Sequence, residues 1–187
     1  MIFIGGMMVM VEGLGAAGFF RWLCLLMARL VKYRVIPILI SFMLLSGFLS
    51  MFIDSITVML FLASVTIELA RLLKFDPVPV IIAEIFASNT GGSATMSGDP
   101  PNIIIGTHFN YTFTDFAANT GPIAWISMIL VMGLFYLFFR KALRQQAAEN
   151  PPKSPDQYPQ PGEAIQNPRF FALSTAIFVL AVVLLVT

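Results

Sequence analysis

The sequence is poor in charge, cysteine and histidine, and each shortage excludes a class of protein. Of its 187 residues, 11% are charged, 11 basic and 10 acidic, for a net charge of +1. Soluble chains carry about 25% charged residues, so the polar coat of a water-soluble globule is missing. A near-neutral chain also lacks the concentrated basic face that nucleic acid demands. One cysteine, Cys24, permits neither a disulfide framework nor a multi-cysteine metal site, and one histidine, His108, excludes a histidine-rich zinc site. There is no P-loop for nucleotide, no Ser-His-Asp set and no paired-carboxylate hydrolase pattern. Neither an enzyme nor a nucleotide-driven pump is expected.

What is present is apolar. Hydrophobic residues make up 58% of the chain, and mean hydropathy is +0.85. The expectation is an all-α, multi-pass integral membrane protein whose main partner is the lipid bilayer. The length suffices for four or five spans of about 20 residues. The basic residues fall in three clusters: Arg21, Arg29, Lys32 and Arg34; Arg71 and Lys74; and Arg140, Lys141 and Arg144. The positive-inside rule places all three in the cytoplasm. That constraint predicts a span over 1–18, an interfacial amphipathic helix over 19–34, a hairpin over 35–73 and an outward crossing over 77–110. A return span over 122–139, a proline-rich cytoplasmic linker over 141–168 and the start of a further span over 169–187 complete the path. Residues 1–18 make a poor signal peptide, because no basic stretch precedes the apolar run.

Two interruptions carry the chemistry. The first is Asp54, between the apolar runs Val35–Ile53 and Ser55–Leu73. Two full helices with a tight turn and a re-entrant hairpin both fit; an Asp-Ser tip with Thr57 close by suits a buried tip lined by protein. Asp54 reads as the N-cap of the second helix. A carboxylate at membrane depth also marks an ion or proton pathway, and the two roles are compatible.

The second interruption is SNTGGSATMSGDPPN, residues 88–102. Eight of its fifteen residues carry side-chain oxygen, three are glycine and two are proline. It lies between two apolar halves, each too short to span alone. The expectation is a broken helix whose first half ends near Ala87 or Ser88 with free carbonyls. The second half begins at Pro100, with Asp99 as N-cap. Ser88, Asn89, Thr90, Ser93, Thr95 and Asn102 offer hard oxygen ligands, and Gly91 and Gly92 allow close backbone approach. Broken helices aimed at a midplane site are the construction of secondary transporters. A plain extramembranous loop is the alternative, and it would orphan both apolar halves.

Other residues say less. Glu84, one turn before Ser88, is a proton-carrier candidate or a structural partner. Glu68 and Arg71 at i,i+3 read as an ion pair, Cys24 as packing, and His108 as interfacial. Glu12 is open between snorkelling and facing the bundle.

The stretches GFLSMFIDSITVMLFLASVTIELARLLKFDPVP and AEIFASNTGGSATMSGDPPNIIIG resemble the ion transporter superfamily. The branch is that of arsenite permeases, sodium/proton antiporters and the melanosomal P protein, which share a citrate-transporter-like domain. The resemblance covers residues 1–140. It implies a re-entrant hairpin, a broken helix, two inverted repeats, a homodimer and elevator-type alternating access; residence in the plasma membrane is a separate expectation. It also implies that Asp54, Ser55 and Thr57 at the tip meet Ser88–Asn102 to form half of a transport site. Here Ser55 stands where the branch usually has Asn, and the tip and break motifs occur once, so the chain reads as the N-terminal half of such a transporter. Dicarboxylate carriers of the superfamily have neutral tips and Thr at the position of Asp99. Two carboxylates, Asp54 and Asp99, would repel a di- or trianion at low dielectric. Sodium/proton antiport or arsenite-type efflux is therefore expected ahead of citrate or dicarboxylate uptake. Na⁺ or H⁺ would be the coupling ion, and no organic cofactor or further metal is expected. A transport-inactive membrane interaction protein, or a truncated fragment, is the reading from another class.

Overall fold

A computed structural model describes residues 2–149 and 158–186, and among them the secondary structure is helical. The helices are α1 (Ile2–Ala16), α2 (Phe19–Leu30), α3 (Val35–Ser50), α4 (Ser55–Leu73), α5 (Val78–Gly92), α6 (Pro100–Phe109), α7 (Phe113–Asn119), α8 (Gly121–Glu149) and α9 (Pro168–Val186), with a 3-10 turn at Pro161–Ala164. Among the described residues three stretches are long and apolar enough to cross a membrane: α4, α8 and residues 168–185 of α9. Residues Gly5–Ala16 of α1 and α2, bent by 57° to one another, make a fourth when taken together as one span. The chain is a multi-pass helical membrane protein.

α3 and α4 form the hairpin. At about 1.5 Å per residue, the 16 residues of α3 reach roughly 24 Å, short of a hydrocarbon core of about 30 Å. The turn at 51–54 is closed by Ile53 N–H donating to the Leu49 carbonyl. α3 then packs backbone to backbone on α5. A Cβ on Gly91 would lie 2.0 Å from the Gly47 carbonyl oxygen, so only glycine permits this approach. The buried core draws Phe42, Met43, Leu62, Leu69, Val80 and Ala87 from α3, α4 and α5.

α2 buries Phe19, Phe20, Cys24, Leu25 and Ala28 and leaves Arg29 and Leu30 exposed. The helix is amphipathic, with one face seated on protein, and it ends at Leu30, four residues short of the 19–34 helix expected. Cys24 packs in the core, as read; Glu12 and His108 are exposed.

Four sequence-based expectations need correction. Glu68 does not pair with Arg71: it accepts from Arg21 of α2, Nη2 to Oε1 at 2.7 Å and Nε to Oε2 at 3.2 Å. A bidentate fork across two helices replaces a local i,i+3 contact. The span expected over 122–139 continues nine residues past Arg140, to Glu149. Residues 141–149 are strong helix formers, and the first breaker is Pro151. The part of the 141–168 linker from Tyr158 to Ala164 also packs against the fold, where a coreless linker was expected: Tyr158 and Ala164 are buried. Finally, α5 does not end at Ala87 or Ser88 but runs to Gly92. Its polar side chains are satisfied on the helix itself: Ser88 Oγ and Asn89 Nδ2 donate to the Ile85 carbonyl and Thr90 Oγ1 donates to that of Phe86. The interruption shrinks to residues 93–99.

Candidate functional site

Asp54 has extended backbone and accepts from Thr57 N–H at 3.0 Å, so it caps α4 as the sequence predicts. Asp99 stands at the N-cap position of α6, yet its side chain caps nothing there. The reason is local: Pro100 and Pro101 have no N–H to give, and Asn102 N–H is taken by the Asp99 backbone carbonyl at 3.0 Å. The carboxylate is left to accept from Ser55 Oγ at 2.6 Å. That bond joins the hairpin tip to the interruption of the broken helix.

The two segments are stitched further. Thr95 Oγ1 and Ser97 Oγ both donate to the Met51 carbonyl, the latter at 3.0 Å. Asn102 Nδ2 donates to the carbonyls of Gly92 (3.2 Å) and Thr95 (3.0 Å). The free carbonyls expected at the end of α5 are thus partly taken up by Asn102. Gly92 and Gly98 are needed for contact. A Cβ on Gly92 would lie 2.6 Å from Asp99 Oδ2, and one on Gly98 would lie 2.6 Å from the Ser50 carbonyl oxygen. Asp54, Ser55, Thr57, Gly92, Thr95, Asp99 and Asn102 therefore share one locus. Asp54 and Asp99 are half-buried, while Ser55 and Thr95 are buried. Asp54, Ser97, Pro100 and Ile103 also line a cavity of about 20 Å³ with Met7, Met8 and Val11 of α1, room for one water-sized guest.

The rest of the expected set lies elsewhere. Ser88 is buried within α5, and Gly91 sits on Gly47. Asn89 and Thr90, with Ser93, line an open groove of roughly 480 Å³ against Thr120, Ile123, Ala124 and Ser127. Glu84 is fully buried. Its Oε1 accepts from Thr66 Oγ1 at 2.5 Å, its backbone carbonyl accepts from Ser46 Oγ at 2.9 Å, and Oε2 has no partner. Among the described residues no three His, Cys, Asp or Glu side chains cluster as metal ligands.

Several contributors escaped the sequence reading. Ser97 lies inside the interruption, and nothing in its spacing separates it from the other hydroxyls there. Ser46 and Ser50, spaced i,i+4 on α3, were a legible hydroxyl stripe within an apolar run; Ser50 Oγ is buried without a partner. The Met51 carbonyl has no side-chain signal at all.

Comparison with known proteins bears on this geometry. The profile of a family described as "Citrate transporter" matches residues 1–187. A protein named "Uncharacterized transporter" from Mycobacterium tuberculosis is 36% identical over 129 residues, 69% of this chain and 30% of that protein. The "46 kDa membrane protein" of Mycobacterium leprae is 35% identical over 136 residues, 73% of this chain and 32% of its own length. The human "P protein" is 43% identical over 100 residues, 54% of this chain and 12% of that protein. The chain thus spans about a third or less of the curated relatives it matches. No solved structure matches.

Proposed function

The chain belongs to the citrate transporter family, and from that premise we propose that it supplies half of the transport site of a secondary active transporter working by alternating access. The solute is a small cation exchanged for protons, sodium above all, or a neutral oxyacid of the arsenite type. The observation that carries this reading is the 2.6 Å bond from Ser55 to Asp99. It holds two segments of irregular backbone together, and such backbone persists at membrane depth only around a protein-lined or wet site. Asp54 and Asp99 offer carboxylate oxygens there, with Thr57, Thr95 and Asn102 in the surrounding shell. Ser88, Asn89, Thr90 and Gly91 lie on α5 outside that locus, Asn89 and Thr90 in the groove against α8 and Gly91 on Gly47. Glu84, one helix turn further back with one oxygen unpartnered, carries the coupling proton. The reading extends to a homodimer of the complete protein in the plasma membrane.

The family's description favours a second reading, uptake of citrate or a related carboxylate. Against it stand the two acidic side chains, whose charges repel a di- or trianion most strongly where the dielectric is low.

The test is solute flux through the complete protein in proteoliposomes, under imposed gradients of sodium, protons, arsenite and citrate. Asp54→Asn and Asp99→Asn are each expected to abolish coupled flux while leaving membrane insertion intact. Glu84→Gln is expected to leave solute binding and remove the proton dependence. Unaltered flux in both Asp variants sinks the site, and citrate-driven flux with the parent protein replaces the first reading by the second.

A further inference from the structure

Residues 158–164, YPQPGEA, lie against the helix they follow by more than a hundred residues. The seat is built from both ends of α2. At its N-terminal end Gly18 adopts φ +83, and a Cβ there would lie 2.1 Å from the Ala164 carbonyl oxygen. At its C-terminal end the fully buried Tyr33 stacks on Tyr158, with centroids 4.3 Å apart and planes at 29°. Tyr33 Oη donates to the Pro159 carbonyl at 3.0 Å, and Arg29 Nη1 donates to Gln160 Oε1 at 2.6 Å.

The conformation of the segment fits that role. Gln160, between Pro159 and Pro161, has φ −82 and ψ 145, which is polyproline II backbone. At the rise of such backbone three residues, 158–160, reach at most roughly 9 Å, and the four-residue 3-10 turn after them adds roughly 8 Å. The twelve residues of α2 span roughly 18 Å, so the segment matches the helix it covers. Recognition of a proline-rich segment by an aromatic seat is favourable because the ligand loses little conformational entropy on docking. The segment also lies over Gly18, the elbow at which α1 and α2 bend by 57°.

We propose that Gly18, Arg29 and Tyr33 form a binding site for a proline-rich polypeptide segment, occupied in cis by residues 158–164, and that its occupancy sets the angle between α1 and α2. The site does not depend on the transport reading. Arg21 of the same helix grips Glu68 of the hairpin, so the elbow angle is transmitted to α4.

The experiment uses the whole chain in nanodiscs with Cys24→Ser, which leaves no other cysteine. Single cysteines are placed at buried Ala164 or at exposed neighbouring Glu163, and labelled with a water-soluble maleimide. Position 164 is expected to react about tenfold slower than 163, the behaviour of a closed local structure. Tyr158→Ala, which alters the ligand and leaves α2 untouched, is expected to abolish that difference; Tyr33→Ala does the same from the seat. A nitroxide pair at exposed Val9 and Leu30 then reads the elbow, and its distance distribution is expected to shift or broaden in Tyr158→Ala. Equal labelling of 163 and 164 in the parent overturns the site. Released labelling with an unchanged distance distribution overturns its control of the bend.

Discussion

Ser55 and Asp99, 44 residues apart in sequence, share a hydrogen bond of 2.6 Å between hydroxyl and carboxylate. Neither side chain caps the helix it stands at. Asp54 caps α4 in place of Ser55, and two prolines deprive Asp99 of its ordinary target. Each is therefore free to serve the other. The prolines that open α6 thus also leave the acid free to reach the hairpin, which links a local backbone rule to the long-range geometry of the site.

That link is measurable. A hydrogen bond to a charged acceptor contributes about 1.5–3 kcal/mol. Ser55→Ala is expected to lower stability by about that amount, and Asp99→Asn by a similar one. The two losses should overlap, so that a double-mutant cycle on thermal unfolding in detergent gives a coupling of about 1 kcal/mol or more. Additive losses would show that the two side chains do not interact.

The glycines divide into two kinds. Gly91 meets the Gly47 carbonyl, while Gly133 on α8 has no atom within 4 Å of its missing Cβ. Gly91→Ala must push α3 from α5, and overpacking of this sort costs about 1–3 kcal/mol. Gly133→Ala is expected to be neutral or to stabilise by up to about 1 kcal/mol, since alanine is the better helix former. Unfolding temperatures of the two variants check the contrast, and equal effects would place Gly91 away from a helix contact.

Local rules carried the sequence reading furthest. The hairpin turn, the Asp54 cap and the start of α6 at Pro100 were legible because each depends on neighbours in the chain. The end of α5 was misplaced because Ser88, Asn89 and Thr90 turn their polar groups back onto their own helix, and sequence does not separate that choice from pointing at a ligand. The Arg21–Glu68 pair bridges 47 residues and the Tyr33–Pro159 bond 126. Nothing periodic announces either. Thr95 illustrates both sides: its hydroxyl reads as a ligand in the sequence, and in the fold a backbone carbonyl engages it.

Docking of residues 158–164 should be lost in alkali. Burial pushes the Tyr33 phenol above its ordinary range, opposed by Arg29 and reinforced by Glu163 and Tyr158. A phenol that holds its proton more tightly when docked favours the docked state fully below the ordinary tyrosine value, about 10. That contribution disappears as pH climbs through the raised value. Maleimide labelling at position 164 is expected to accelerate over that interval. Tyr33→Phe retains the stack but has nothing to ionise, so its labelling should rise slightly at neutral pH and show less change in alkali. Identical alkaline profiles for parent and variant would assign the opening to another group.

The buried pair Thr66 and Glu84 gives a test independent of transport. Thr66 Oγ1 is the one side-chain donor seen on the Glu84 carboxyl among the described residues, and Oε2 has none. Thr66→Val keeps the shape and removes that donor, leaving a wholly buried carboxyl without a partner. Such a loss costs about 1–3 kcal/mol or more. Thr66→Ser keeps the hydroxyl and deletes one methyl, a change of about 1 kcal/mol by transfer and cavity effects. Thermal unfolding should therefore rank parent, then Thr66→Ser, then Thr66→Val. Adding Glu84→Gln to Thr66→Val should not rescue it, because the new amide oxygen and nitrogen both lack a partner there. Adding Glu84→Leu instead should recover part of the stability by removing the polar group altogether. Equal unfolding temperatures for Thr66→Ser and Thr66→Val would show that the hydroxyl does nothing for the carboxyl, and would withdraw the support that holds Glu84 at its place behind the site.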